Sequence, residues 1–246
     1  MINVKDLTVR VGEHTLVDQV SFTAQAGEVT GLIGPNGAGK STVLAAVAGD
    51  IEYSGEITVG GLSPKAPPRE LARTRAVMLQ DVSVSFEFLV RDVVAMGRRP
   101  WEGTAYADLD DAFIDAALDT VGVAHLAGRD ISTLSGGERA RAAFARVLAQ
   151  NTPVILLDEP TAALDIRHQE QLLGSVKALA REAGVAVLVV LHDLNAAAAY
   201  CDHVVCLSCG GLAAQGRVDE VFTSPTLSQV YGWPISVNGL QVHPQR

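Results

Sequence analysis

Gly34-Pro-Asn-Gly-Ala-Gly-Lys40-Ser41 satisfies the spacing G-x-x-x-x-G-K-[ST], between an apolar run (Val29–Ile33) and a helix-forming run (Lys40–Gly49). That arrangement can hold a polyphosphate. Glycine lets the backbone approach closely enough for successive N–H groups to converge on phosphate oxygens. The helix that follows adds the positive end of its dipole. Lys40 supplies a point charge, and Ser41 a hydroxyl for Mg²⁺. The candidate nucleotide-binding set is Gly34, Pro35, Asn36, Gly37, Ala38, Gly39, Lys40, Ser41 and Thr42. A glycine-rich turn that merely precedes a helix is the plain alternative, and it leaves the full match in context unexplained.

Two carboxylates follow an all-apolar run in Val154-Ile-Leu-Leu-Asp158-Glu159. A continuous apolar run reads as a parallel strand buried on both faces, and ligands of such sheets sit beyond the strands' carboxyl ends. Asp158 is then placed to reach Mg²⁺, directly or through water. Glu159 can take a proton from an attacking water or orient it. An acidic pair that only solvates a loop is the competing reading. His192 ends the next apolar run, Val185–Leu191, at the corresponding edge, where it can donate to a terminal phosphate.

A second anion device lies about 95 residues beyond Lys40. In Leu134-Ser135-Gly136-Gly137-Glu138 the spacing Ser135-x-x-Glu138 is a capping box, so a well-capped helix start is the simple reading. Two glycines at a helix N-terminus also leave N–H groups bare for an anion. One nucleotide needs only one cradle. The second site therefore points to a nucleotide held by another subunit.

The elements that must position these groups follow from periodicity. Ile2, Val4, Leu7 and Val9, then Val20 and Phe22, alternate as in half-buried strands. Gly55 to Leu62 reads as a hairpin and Ser63–Pro68 as a loop. From about Val82 to Gln150 the texture is helical. Leu109, Ala112, Phe113, Ala116, Ala117 and Val121 recur at helical spacing opposite an acidic ridge of Asp108, Asp111, Asp115 and Asp119, read as a solvated face. Beyond Val154, strands alternate with helices at 166–183 and 195–200 and end on His203–Leu207. The expected fold class is α/β: a mainly parallel sheet, an N-terminal antiparallel β subdomain and an inserted helical subdomain. One domain spans 1–246, with 1–81 and 151–246 forming the core and 82–150 the helical insert.

Composition sets the outer limits. The chain has 246 residues, 48% hydrophobic and 19% charged, which excludes a disordered polymer. A net charge of −9 gives no general attraction for nucleic acid, so a polyanion must be held by a local device. No apolar run approaches the ~20 residues of a membrane helix, and the opening shows no secretory signal. The expectation is a soluble cytosolic protein. Cys201, His203, Cys206 and Cys209 invite a metal or redox reading, which the alternating strand around Cys206 and the Gly210-Gly211 turn argue against. No G-x-S-x-G or H-E-x-x-H supports a hydrolase triad or zincin, and no N-K-x-D supports guanine recognition. The segment Pro225–Arg246 receives no role.

Taken in order, these motifs resemble the ATP-binding cassette (ABC) ATPase family over nearly the whole chain. Gly34–Ser41 resembles its Walker A, Val154–Glu159 its Walker B and Leu134–Glu138 its LSGGQ signature. Gln80 is similar to the Q-loop glutamine, a further Mg²⁺ contact; Ala162-Ala-Leu-Asp165 resembles the D-loop, and His192 the switch histidine. The resemblance implies an ATP hydrolase coupled to transport. It implies a homodimer that sandwiches two MgATP, with Ser135, Gly136, Gly137 and Glu138 acting in trans. Glu138 stands where the family usually has Gln; either its carboxylate faces the second nucleotide or it turns back to cap its own helix, the reading favoured here. The family's adenine-stacking aromatic falls near Val11, where this chain has none, leaving Arg10 or His14 as substitutes and base selectivity weakened.

Two further segments, Val84–Trp101 and Gly137–Gln150, resemble the haem importer ATP-binding subunits of the iron-siderophore/cobalamin importer class. That resemblance implies transmembrane permease partners, an indirect substrate-binding protein and a peripheral position on the cytoplasmic face of the cell membrane. Haem is the implied cargo, with ferric siderophore or cobalamin as the alternative. Phe86, Phe88 and Leu89 form either a permease-docking groove or ordinary helical core. The alternative from another class is a soluble non-transport ABC ATPase; the spacing from Lys40 to Ser135 suits a compact helical insert rather than that class's long coiled coil.

Overall fold

Strands buried from end to end are covered on both faces, and the three such strands form the middle of the sheet. The computed structural model describes residues 1–79 and 88–245. Its central sheet contains β3 (Val29–Ile33), β5 (Arg75–Met78), β6 (Val154–Asp158), β7 (Ala186–Val190), β8 (His203–Ser208) and β9 (Gly211–Arg217), in the order β5-β6-β7-β3-β8-β9. Every neighbouring pair is parallel except β8 and β9. Strands β3, β6 and β7 are buried along their whole length. Register aligns Asp158 with Val190, and Leu32 with Val190, so the chain leaves β3, β6 and β7 at one edge. The candidate chemistry collects there.

The first thirty residues fold as read. β1 (Ile2–Val11) pairs antiparallel with β2 (His14–Ala24) and with β4 (Ser54–Val59). Positive φ at Asp6 and Gln19 accompanies the register shifts. The inward residues Ile2, Val4, Leu7 and Val9 share a core with α1 (Lys40–Ala48). Gly55–Leu62 is not a two-stranded hairpin. Its first half is β4, whose strand partner is β1, and only the bridge Val59↔Leu62 closes the turn behind it. Pro68 ends the expected loop by opening α2 (Pro68–Thr74).

Between β5 and β6 the described residues are helical: α3 (Val90–Ala95), α4 (Asp110–Thr120) and α5 (Gly136–Gln150), joined by short 3₁₀ turns. They enclose their own core around Val90, Val94, Leu118 and Ile131. The buried face of α4 differs from the sequence reading. Ile114, Ala117 and Leu118 face inward, whereas Leu109, Ala112 and Ala116 are exposed. The acidic ridge is a solvated face, as read: Asp108, Asp111, Asp115 and Asp119 are all exposed, and Asp111 and Asp115 both hold Arg91 at the surface. Asp110 pairs at 2.7 Å with Arg98, a guanidinium only 3% exposed that also donates to the Ala149 carbonyl at 2.7 Å. Helix α4 is thus positioned by charge as well as by apolar contact.

The remaining elements are α6 (Ile166–Ala183), α7 (Leu194–Tyr200), α8 (Val218–Val221), α9 (Ser224–Tyr231) and the hairpin of β10 (Ile235–Asn238) with β11 (Gln241–Pro244). Leu227, Val230, Ile235 and Val242 join the main core beneath β8. No helix among the described residues is long and apolar enough to cross a membrane.

Candidate phosphate-binding site

The loop after β3 has its shape fixed by two close approaches. Gly34 has φ 144°, and a Cβ there would stand 2.1 Å from the Leu207 carbonyl oxygen. Gly39 has φ 97°, with Leu16 O 3.0 Å and Val17 Cγ2 3.1 Å from where a Cβ would lie. Gly39 is also the N-cap of α1, with no side-chain cap and no acidic residue in the first turn. The first N–H groups of α1 are thereby left for an external anion.

Lys40 and Ser41 open that helix. The Lys40 ammonium, in a residue only 5% exposed, donates to the carbonyls of Gly34 (2.9 Å) and Pro35 (3.0 Å). Burial pushes its pKa down, and the carboxylates of Glu159 and Asp158 work against that. Ser41 Oγ donates to Asp158 Oδ1 at 3.2 Å, joining the start of α1 to the end of β6. Burial raises the Asp158 carboxyl above the usual range, the Ser41 hydrogen bond lowers it, and Glu159 adds a further upward push. A desolvated carboxylate beside a hydroxyl is an oxygen donor set suited to a hard cation such as Mg²⁺. No cluster of three or more His, Cys, Asp or Glu able to hold a metal occurs among the described residues, so nucleotide oxygens would have to complete the shell.

Glu159 adopts φ 48°, a left-handed backbone unusual for a side chain of its size. That turn brings its carboxylate against Nε2 of His192 from the end of β7. The pair is unequally covered: the Glu159 side chain is 15% exposed and that of His192 44%. A cleft of about 780 Å³ opens over these groups, lined by Leu16, Asn36, Gly37, Gly39, Lys40, Ser41, Thr42, Glu159 and His192. It can hold a triphosphate, with a carboxylate–imidazole pair where its outer end would lie.

The second device sits elsewhere. None of Ser135, Gly136, Gly137, Glu138 or Asp165 is among the residues lining that cleft. Ser135 caps α5: the Glu138 N–H donates to Ser135 Oγ (3.3 Å), while Glu138 Oε2 accepts from the Ser135 amide (2.8 Å) and hydroxyl (2.7 Å). Glu138 therefore turns back onto its own helix, and these hydrogen bonds hold its carboxyl below the usual range. A Cβ on Gly137 would stand 3.3 Å from the Ala163 carbonyl oxygen, which places the α5 start beside the Ala162–Asp165 turn. Asp165 caps α6 by accepting from the His168 amide at 2.9 Å, and its Oδ1 lies 2.8 Å from His168 Nδ1.

Gln80 and Phe86 lie outside the described residues. Phe88 and Leu89 are 36% and 46% exposed, so they are not helical core. A further cleft of about 590 Å³ adjoins Ser41 and Thr42 and is lined by Val9, Arg10, Val11, Leu16, Ala45, Ile51 and Glu52. Arg10 lines this cleft, and His14 is not among its lining residues. Leu16 and Ile51 were not singled out by sequence reasoning. Leu16 lines both clefts, and nothing in the local pattern of β2 distinguishes it.

A phosphate loop after β3, a carboxylate at the end of β6, and a capped glycine pair on an inserted helical unit together define an ABC-type ATPase. Residues 17–162 match the ABC transporter family, and the chain belongs to it. ATP hydrolysis coupled to transport is that family's activity. The chain is 52% identical over 225 residues to the "Hemin import ATP-binding protein HmuV" of Nocardia farcinica, covering 90% of this chain and 77% of the relative. Its fold superposes on a metal-chelate type ABC transporter in an inward-facing conformation with a TM-score of 0.83 at 26% identity, covering 100% of this chain and 97% of the other. A dimeric bacterial ABC transporter cassette gives a TM-score of 0.79 at 27% identity, covering 88% and 98% of the two chains.

Proposed function

We propose that two copies of this chain clamp two MgATP between them and energise the import of haem through a membrane permease. The observation that carries the dimer is the separation just described. The cleft has a phosphate cradle, a cation-binding pair and a candidate base, while the glycine-rich N-terminus of α5 lies outside it. A head-to-tail partner would bring its own Ser135, Gly136 and Gly137 over the open side. The haem reading is supported by the relative's name and by the metal-chelate type structural neighbour.

Within the clamp, the N–H groups of Gly37, Gly39 and the α1 start hold phosphate oxygens, and Lys40 leaves the Gly34 and Pro35 carbonyls for them. Ser41 and Asp158 would hold Mg²⁺, with Gln80 as a further ligand; bound there, the ion offsets charge on the phosphates. Glu159 accepts the proton of the attacking water, and His192 steadies that carboxylate. Exposed Phe88 and Leu89 offer the apolar patch against which a permease helix docks. The chain would thus sit on the cytoplasmic face of the membrane through its partner.

Glu159→Gln tests the assignment. The variant should bind MgATP as the parent does, hydrolyse it at least ~100-fold more slowly, and accumulate as a nucleotide-bound dimer on size exclusion. Near-parental turnover refutes the role of Glu159, and a monomer at saturating ATP refutes the clamp. For cargo, ATPase activity of the reconstituted complex should rise with a haem-loaded binding protein; stimulation by a ferric siderophore or cobalamin instead overturns the haem assignment.

A further inference from the structure

Three exposed aliphatic side chains from separate segments meet in the smaller cleft that adjoins the phosphate site. Val11 ends β1, Leu16 lies near the start of β2 and Ile51 follows α1; they are 63%, 41% and 36% exposed. Large apolar groups left open in one concave place mark a binding surface. The cleft, at about 590 Å³, is of the size that takes a small ligand. It shares Leu16, Ser41 and Thr42 with the larger cleft, so whatever fills it continues from a triphosphate seated there.

Leu16 is put in place by an irregularity in the strand pairing. Val9 pairs with Val17 and Arg10 with Thr15, so Leu16 has no partner across the ladder and is the extra residue of a bulge. Its carbonyl oxygen would stand 3.0 Å from a Cβ on Gly39 and 2.8 Å from one on Gly210. The bulge is thus held against both the phosphate loop and the turn between β8 and β9. Polar side chains around the slot are few. Ser41 donates to Asp158, and Glu52 lies 3.7 Å from the Lys65 ammonium. Arg10, the remaining charged group, can lie over the ring of either purine. An aliphatic slot grips a ring by its faces and cannot strongly reject a change at the ring's edge. Strong rejection needs polar groups that the wrong base leaves unpaired.

We propose that this slot receives the purine of the bound nucleotide, with Val11, Leu16 and Ile51 as the residues that set specificity, and that the chain therefore hydrolyses GTP as well as ATP. This rests on the reading of the larger cleft as the phosphate site. The step is the same for both nucleotides. The water oxygen bonds to the γ-phosphorus as the bond to the β–γ bridging oxygen breaks; the water's proton passes to Glu159, and nucleoside diphosphate and phosphate leave. Guanine is tolerated rather than selected.

Phosphate release by the chain with MgATP and with MgGTP should give kcat/KM values within tenfold of each other. A larger preference for either purine overturns the proposal. Val11→Ala and Ile51→Ala trim exposed side chains, so the fold should survive both. Each should raise KM for ATP and GTP alike by about threefold to tenfold. Affinity for inorganic tripolyphosphate, which carries no base, should stay at the parental value in both. Parental KM in the two variants overturns the slot; if ATP-driven dimerisation weakens at parental KM, the aliphatic patch is a contact between copies instead. Lys40→Ala separates this failure from a failure of the phosphate site. If Lys40→Ala binds ATP and tripolyphosphate like the parent, the phosphate site is misplaced. If it loses both while the aliphatic variants bind normally, only the slot is wrong.

Discussion

Glu138→Gln tests whether this carboxylate serves its own helix or a nucleotide. In the structure one oxygen, Oε2, accepts from both the amide and the hydroxyl of Ser135 at 2.8 and 2.7 Å. Gln keeps an acceptor for the amide, but both bonds lose their charge assistance, which roughly halves such bonds. The helix start also loses a negative charge worth about 0.3–1 kcal/mol. Glu138 is only half-buried and its bonds are partly screened by solvent, so the sum is about 1 kcal/mol. The pH dependence has a definite sign. The carboxyl's pKa is lower in the folded chain than in the unfolded one. Its contribution is therefore complete above the unfolded value of about 4.3 and is lost as pH falls through the folded value. Urea unfolding should show the parent more stable than Glu138→Gln by about 1 kcal/mol at pH 7, by much less in high salt, and by progressively less as pH falls through the folded-state value. ATP-driven dimer affinity, measured in a Glu159→Gln background, should change less than tenfold, a limit of about 1.4 kcal/mol. A larger gain would mean that the carboxylate had been repelling a partner's nucleotide, and the capping account would fall.

Two further predictions concern packing. Gly31→Ala would place a Cβ 2.7 Å from Cys201 Sγ, so it should destabilise the chain by about 1–3 kcal/mol. In a Cys201→Ala background much of that loss should disappear, and additive effects in thermal melts would show the contact is not the cause. Arg98→Ala strands Asp110 and the Ala149 carbonyl, and should cost about 3 kcal/mol in denaturant unfolding. Arg98→Lys should recover less than half of that, because one ammonium cannot reproduce the fork; full recovery would reduce the site to a simple charge.

The strands and the phosphate loop were legible because their signals are local. Val29–Ile33 and helix 166–183 sit where the apolar runs and their caps put them, and Asp165 and Gly184 mark the ends of α6 as capping chemistry requires. Helix α4 shows where such reading fails. Ala112 and Ala116 count as apolar in a periodic pattern but offer little area to bury, so Ile114 and Leu118 decide which face turns inward. The Gly55–Leu62 error has a different origin: the turn residues were read correctly, but the partner strand lies some fifty residues back in β1. Within the site, the Ser41–Asp158 bond spans 117 positions, and the Glu159–His192 contact depends on a left-handed backbone at Glu159. Sequence placed those four residues at the right edge and could not show which would touch. Leu16 and Ile51 went unnoticed because an aliphatic wall carries no motif.

The Lys40 ammonium that bridges the carbonyls of Gly34 and Pro35 has a consequence for how fast nucleotide is captured. The strap it forms holds the loop in its working shape before any ligand arrives, so the ordering cost is met during folding rather than at encounter. Capture then needs only an exchange of acceptors for one side chain whose backbone is already in place. Loading is governed by diffusion and by the local field at the mouth of the cleft, and the slow events of the cycle fall to whatever opens and closes above it.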